Sequence, residues 1–160
     1  MPSASVQVSS AVLRLARDLR TTLDQRFAPL GLTSQQAGLL IHVFTGQAAA
    51  KGLAELLGTD SAGMTRLLDR LQAKGYLVRS PDRSDRRAVL VELTDVGVEL
   101  IPQLPGIFEQ AAADLLRGMD PDHVGVVVEA MLANLQSPAP RPPQEAAGGR
   151  PRRRTPAGGG

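Results

Sequence analysis

The sequence predicts a mainly α-helical fold that carries one small β-hairpin. Aromatic residues make up only 2% of a chain that is 42% hydrophobic, so the core must be built largely from aliphatic side chains. Over most of the chain the apolar residues recur at spacings of three and four, which is the period of a helix face. Residues 77–93 instead alternate around a charged turn, which indicates a hairpin. Together these observations place the chain in the α+β class, with helices predominating.

The first helix follows from the apolar spacing between residues 8 and 27, and Pro29 and Gly31 end it. Leu13 and Ala16 widen its apolar face beyond what one neighbouring helix needs. We therefore expect a second partner on this helix, such as another subunit. The main stripe comprises Val8, Val12, Leu15, Leu19, Leu23 and Phe27.

A capping-box pattern marks the start of the second helix. Thr33 and Gln36 have the spacing at which each side chain accepts a hydrogen bond from the other residue's backbone N–H. We expect this helix to run to about Phe44 and a loop to occupy residues 46–50. A short third helix is predicted over residues 53–57.

The fourth helix follows a turn at Gly58 and ends near Gly75. Three consecutive residues offer alternative N-caps: Thr59, Asp60 and Ser61. The predicted buried stripe is Met64, Leu67, Leu68 and Leu71. The opposite face carries short, polar or charged side chains: Ser61, Thr65, Arg66, Asp69 and Arg70. Because that face has no core to fill, it is a candidate contact surface.

A β-hairpin is predicted next, since Val89, Val91 and Leu93 alternate with less apolar neighbours. Its tip, residues 82–87, is too charged to be buried and must project into solvent or onto a ligand. The charge around it is uneven. Residues 51–90 hold eight basic and five acidic side chains, whereas residues 91–136 hold one basic and eight acidic. A polyanion would be attracted to the first segment and repelled by the second.

Thr94 caps a fifth helix, but Pro102 and Pro105 lie inside its course and predict a break near Gly106. A last helix starts at Asp120-Pro121-Asp122. Its apolar face comprises Val124, Val127, Met131 and Leu135.

From residue 137 the composition changes to Pro, Gly, Ala and Arg, so we expect residues 137–160 to form a disordered tail. Its arginines either add phosphate attraction or only solubilise the chain.

Several classes of protein are disfavoured by what the sequence lacks. There is no cysteine, which excludes disulfides and thiolate zinc sites. His42 and His123 have no metal-ligand spacing to other donors, and no catalytic motif occurs. We therefore expect no enzyme activity, no catalytic residues, no metal and no cofactor. No signal-peptide pattern or membrane-length apolar run occurs, which predicts a cytoplasmic protein that does not bind a membrane.

Two helices joined by a glycine turn and followed by a basic hairpin form a winged helix-turn-helix arrangement. In such an arrangement one helix enters the major groove of DNA and the hairpin loop reaches the adjacent minor groove. The candidate base-reading residues on the fourth helix are Ser61, Thr65, Arg66 and Arg70. Short polar side chains suit positions close to the bases, and arginines suit guanine edges or phosphates. For Arg70 both roles remain open.

Over residues of roughly 8–136 the sequence resembles the MarR-type (multiple antibiotic resistance regulator) transcription factors. The resemblance is carried by Leu53-Ala54-Glu55-Leu56-Leu57-Gly58, by Met64-Thr65-Arg66-Leu67-Leu68-Asp69-Arg70-Leu71 and by Lys74-Gly75-Tyr76-Leu77-Val78-Arg79. It is strongest at Asp85-Arg86-Arg87 followed by Leu93-Thr94-Asp95-Val96-Gly97, which looks like the family's wing signature.

The resemblance implies a homodimeric, sequence-specific regulator of transcription, most often a repressor, that binds an inverted-repeat operator in double-stranded DNA. Its domain would span residues 1–136. Residues 1–30 and 95–136 would dimerise, and residues 33–94 would form the winged helix-turn-helix. The implied dimer contacts include Val8, Val12, Leu15, Leu19, Val127, Met131 and Leu135.

The resemblance also assigns the wing and a ligand. Arg87 would reach the minor groove and Asp85 would hold basic side chains in position. Arg83 and Arg86 either add contacts or only solvate the turn. Members of the family commonly bind small aromatic, often anionic effectors between the dimer helices and the winged unit. The alternative function is a dimeric interaction module that does not bind DNA.

Overall fold

The protein is described here by a computed structural model that covers residues 3–46, 49–81 and 89–136. Over those ranges seven α-helices accompany one antiparallel two-stranded hairpin, which confirms the predicted fold class. The elements in order are α1 (Ala4–Phe27), α2 (Ser34–Phe44), α3 (Ala50–Leu56), α4 (Ser61–Ala73), β1 (Leu77–Pro81), β2 (Val89–Leu93), α5 (Asp95–Leu100), α6 (Leu104–Leu115) and α7 (Pro121–Gln136). One compact unit ends at Arg117, and a second, from Gly118, contains α7.

Local capping signals set several helix ends where the sequence predicts them. The capping box of α2 is complete: the Gln36 N–H donates to Thr33 Oγ1 at 3.3 Å, and the Thr33 N–H donates to Gln36 Oε1 at 3.1 Å. Of the three alternative caps of α4, Asp60 is the one used, since its carboxylate accepts a backbone N–H of the first turn at 2.6 Å. Gly58 and Gly75 adopt φ values of 58° and 74°, a left-handed conformation that favours glycine after a helix.

Two helices begin earlier than predicted. The first, α1, starts at Ala4 rather than Val8, because the Ser3 hydroxyl caps it by accepting a backbone N–H at 3.4 Å. The third, α3, starts at Ala50 rather than Leu53, so the loop predicted over residues 46–50 is shorter. Alanine and lysine have high helix propensities, and they extend α3 although their spacing gives no apolar stripe.

The break predicted in the fifth helix is present, but its predicted position near Gly106 is wrong. The chain leaves α5 through a 3-10 turn, Ile101–Gln103, and Gly106 lies inside α6. Pro105 occupies the first turn of α6, where a missing N–H removes no intrahelical hydrogen bond. It therefore starts a helix instead of interrupting one, and the interruption occurs at the turn that contains Pro102.

The core of the first unit is aliphatic, as the composition predicts. Its largest fully buried side chains come from all parts of the unit: Phe27, Leu39, Leu40, Leu53, Leu71, Leu77, Val91 and Leu104. The Phe27 ring packs against the Phe108 ring, with the two ring centroids 4.9 Å apart, and this contact joins α1 to α6. Beside this contact the Arg26 guanidinium donates to Asp114 at 2.6 Å and holds the pKa of that carboxyl below its ordinary value.

The end of α4 meets the end of the hairpin at a tight contact formed by Gly75, Tyr76, Thr94 and Gly97, which we call the helix–hairpin junction. The Thr94 N–H donates to the Tyr76 carbonyl at 3.1 Å, and the Thr94 hydroxyl donates to the Gly75 carbonyl at 2.6 Å. The same hydroxyl oxygen caps α5 by accepting the Gly97 N–H at 3.1 Å. A Cβ at position 97 would lie 2.1 Å from the Tyr76 carbonyl oxygen, so only glycine fits there.

Gly97→Ala should therefore destabilise the protein. The new methyl group meets backbone rather than a side chain that can rotate away, so α5 must shift at a cost of about 1–3 kcal/mol. Thermal unfolding followed by circular dichroism measures the effect. The matched control is Gly106→Ala, because a Cβ there meets nothing within 4 Å and should stabilise α6 by up to about 1 kcal/mol. Equal unfolding temperatures for the two variants would show that the close approach does not constrain the fold.

Candidate nucleic-acid interface

Helix α4 divides into a buried face and an exposed face, as its sequence predicts. Met64, Leu67, Leu68 and Leu71 are at most 8% exposed and pack in the core. The polar residues of the other face are all exposed: Ser61, Thr65, Arg66, Asp69 and Arg70. We call these five residues the polar face of α4. Since the buried stripe fixes the rotation of the helix about its axis, the polar face has one defined direction.

The predicted contact residues on the polar face differ in how they are engaged. The Thr65 hydroxyl donates to the Ser61 carbonyl at 2.9 Å, which leaves its oxygen able to accept a further hydrogen bond. In the described part of the chain, neither Arg66 nor Arg70 forms an ion pair. Their guanidinium groups are therefore available to an anionic partner or to acceptors on base edges.

A groove of about 720 Å³ lies between α3, α4 and the stem of the hairpin. Ser61 and Thr65 line it from α4, Arg79 and Ser80 line it from β1, and Lys51 lines it from α3. Two of its walls thus carry basic side chains. The start of the polar face and the hairpin thus lie next to each other on the protein surface. A winged helix needs this arrangement to reach the major and the adjacent minor groove of DNA.

Arg79 is a residue of this region that the sequence reasoning did not single out. Its Nη2 lies 2.7 Å from Asp69 Oδ1, and its Nε donates to Gln72 Oε1 at 2.7 Å. The signal was available in the strand period. Arg79 is two residues after the buried Leu77 and therefore shares its inward side, where a charge requires partners.

The wing residues lie outside the described residues. Arg83, Asp85, Arg86 and Arg87 all fall within 82–88, so their roles stay predictions. The hairpin stem on either side is described, with Leu77 opposite Leu93 and Arg79 opposite Val91. The predicted alternation holds at Val91, which is 1% exposed, but not at Val89, which was predicted on the same face and is 40% exposed at the start of β2.

Exposed apolar side chains mark two helices outside this interface. On α1, Val8, Val12 and Leu15 are about half exposed, and Leu19 is partly buried. On α7, considered by itself, the residues predicted to dimerise are exposed: Val127, Met131 and Leu135. Both helices therefore offer apolar surface to a partner, and the dimer itself stays a prediction.

A second cavity, of about 470 Å³, lies between α1, α2 and α6. Its walls are mainly apolar, with Leu19, Leu23 and Phe108 among them, and Arg20 adds a positive charge. His42, which is only partly buried, also borders it. This depression is open to solvent and combines an apolar surface with one cation.

No helix in residues 3–46, 49–81 and 89–136 has the length and apolar character to cross a membrane. The same residues contain no group of three or more His, Cys, Asp or Glu side chains placed to hold a metal ion.

Comparison with known proteins agrees with this geometry. A family model described as the MarR family matches residues 30–88. MarR of E. coli, solved as a mutant in complex with operator DNA, is 25% identical with a TM-score of 0.71, over 82% of this chain and 95% of that chain. MepR of S. aureus, solved with DNA, is 21% identical with a TM-score of 0.75, over 81% of this chain and 98% of that chain.

A third similar structure is BpsR of Bordetella bronchiseptica, whose DNA binding is regulated by 6-hydroxynicotinic acid. It is 24% identical with a TM-score of 0.74, over 86% of this chain and 99% of that chain. Fold and interface thus define a winged helix-turn-helix protein. Residues 30–88 match the model of the MarR family, and the fold of the chain is similar to that of solved MarR-type regulators.

Proposed function

We propose that this chain is a MarR-type transcriptional regulator, which binds double-stranded DNA as a homodimer, represses transcription from an inverted-repeat operator and is released by a small aromatic or anionic effector. The observation that carries the proposal is the polar face of α4. It presents two arginines without ion pairs in the described chain, beside a groove that Lys51 and Arg79 line, while the opposite face of α4 is buried in the core.

In this proposal α4 is the recognition helix and lies in the major groove. Ser61 and Thr65 lie in the first turns of α4, where short side chains can meet base edges. Arg66 lies further along and is long enough to reach a guanine edge or a phosphate. Arg70 lies in the last turn, so it reads a base only if the helix enters the groove deeply, and otherwise binds phosphate.

The wing supplies the second contact. We assign Arg87 to the minor groove, where a cation reads groove width and potential more than base identity. Asp85 would hold neighbouring basic side chains, and Arg83 and Arg86 would add attraction to phosphates. These roles rest on the resemblance of the wing sequence to the family's signature, and the basic tail 137–160 would only add non-specific attraction.

Dimerisation supplies the symmetry of the operator. The exposed apolar side chains of α1 and α7 require cover, and a second copy of the chain provides it when residues 1–30 and 95–136 interlock. Residues 33–94 of each chain then project one recognition helix. Two helices related by a two-fold axis read an inverted repeat with half-sites about one helical turn apart.

The second cavity supports regulation by a small molecule. It lies where the proposed dimer helices α1 and α6 meet α2 of the winged unit, so an occupant would touch both parts. Arg20 in its wall would pair with an anionic group on an aromatic ring. A ligand that fits better when the two parts are displaced would lower the affinity for the operator.

Arg70→Ala should weaken operator binding, and the pattern of the loss identifies its contact. If Arg70 reads a base, the loss is about 1–3 kcal/mol on the best site and much smaller on a site altered at that base. If it binds phosphate, all sites weaken alike and the salt dependence flattens by about one unit. Fluorescence anisotropy on operator variants at several salt concentrations distinguishes the two.

Arg14→Ala is the matched control, because it removes the same charge from an exposed position on α1. It should leave operator affinity nearly unchanged. Equal affinities for the Arg70→Ala variant and the unmodified protein would remove α4 as the recognition helix. If the unmodified protein dimerises but binds no DNA, the result would favour the alternative function, a dimeric interaction module that does not bind DNA.

Aromatic carboxylates such as 6-hydroxynicotinate or benzoate should weaken operator binding by about tenfold at saturation, within the usual range of allosteric coupling. Arg20→Gln should reduce this response by weakening ligand binding, whereas Arg14→Gln should preserve it. Operator titrations with and without each carboxylate provide the measurement. A response that is identical in the Arg20→Gln variant would place the effector outside this cavity.

A further inference from the structure

We propose that Arg79 is a positioning residue for operator recognition, which holds the hairpin stem against the recognition helix through Asp69 and Gln72. The inference rests on the proposed DNA binding and adds residues that act through geometry rather than by touching DNA. Their role is to set the relation between the two elements that enter adjacent grooves.

The contact has the geometry of a rigid link. Two different nitrogens of the Arg79 guanidinium are used, Nη2 toward Asp69 at 2.7 Å and Nε toward Gln72 at 2.7 Å. Asp69 and Gln72 are three residues apart on α4 and therefore neighbours on one helix face. A planar guanidinium held by two acceptors has little rotational freedom, unlike a flexible ammonium group. The side chains of Arg79 and Asp69 are 28% and 54% exposed, so solvent screens the ion pair and the contact acts through its geometry more than through its strength.

The position of Arg79 in the hairpin makes this link mechanically useful. At one end of the stem the helix–hairpin junction ties the hairpin to the end of α4. Arg79 lies three residues after Tyr76, opposite the buried Val91, and provides a second attachment to α4. On the other strand, Leu90 forms a bridge to Ala49 at the start of α3. Separate attachments to α4 and α3 fix the direction in which the stem leaves the domain.

The charge of Asp69 argues for the same role. Asp69 is an exposed carboxylate on the same polar face as Arg66 and Arg70. On a surface that approaches phosphates, a carboxylate lowers affinity by repulsion. Its pairing with Arg79 supplies a compensating benefit, which is the fixed orientation of the stem. The two effects of Asp69 have opposite signs, and this makes the inference testable.

Asp69→Asn should weaken operator binding by about tenfold, although it removes a negative charge from the proposed DNA-facing surface. Arg79→Gln and Arg79→Lys should both weaken binding similarly, since lysine keeps the charge but cannot hold two acceptors in one plane. The double variant Asp69→Asn with Arg79→Gln should bind no more weakly than Arg79→Gln alone, because both changes break one link. None of these changes should flatten the salt dependence.

The matched control is Glu55→Gln, which removes an exposed carboxylate from α3 at the edge of the same groove. It should leave affinity unchanged or raise it slightly. Thermal unfolding of each variant is measured beside operator anisotropy, and Asp69→Asn, a change of nearly equal shape at an exposed site, should unfold close to the unmodified protein.

Tighter or unchanged operator binding by Asp69→Asn would overturn the inference. A second result would also overturn it. If Arg79→Gln weakens binding and flattens the salt dependence by about one unit, and Arg79→Lys restores the affinity, then Arg79 contacts a phosphate directly. Failure of the unmodified protein to bind any operator would instead refute the proposed function. The two failures are therefore distinguishable.

Discussion

The approach of Gly97 to the Tyr76 carbonyl is the constraint on which the rest of the structure depends. At this junction the end of α4, the start of β1, the end of β2 and the start of α5 come together within a few residues. The Thr94 hydroxyl serves two elements at once, since it donates to Gly75 and caps α5. Because a Cβ does not fit at position 97, the contact allows little variation. It sets where the hairpin starts relative to α4.

From this junction the polar face of α4 and the hairpin receive their mutual orientation in two further steps. The buried stripe of α4, which ends at Leu71, fixes the rotation of the helix, and the Arg79 link then holds the stem along it. Residues 51–90, which contain these elements, also hold the excess of basic side chains. The local geometry and the charge distribution thus single out the same surface.

The sequence predicts those parts of the fold that depend on local chemistry. The Thr33 capping box, the glycine turn at Gly58 and the presence of the hairpin all follow from residue type and spacing, and the structure confirms them. The predicted start of α3 was wrong because alanine is compatible with both loop and helix. The break in the fifth helix was predicted too late in the chain, near Gly106. A proline in the first turn of a helix cannot be distinguished in the sequence from a proline that interrupts a helix.

The candidate site was predictable where it lies on a helix face. The exposed positions of Arg66 and Arg70 follow from the apolar stripe opposite them. Arg79 was missed because its partners come from another element, and periodicity contains no information on which helix a strand side chain meets. Its place on the inward side of β1 was the available clue.

The most direct test of the central claim is selection of bound fragments from random double-stranded DNA, followed by footprinting of the full-length protein on the selected sequence. The claim is that two recognition helices, related by a two-fold axis, read one face of DNA. It predicts an inverted repeat with half-sites about one helical turn apart and equal protection of both halves. A single asymmetric element protected on one side, or no enriched sequence at all, would contradict it.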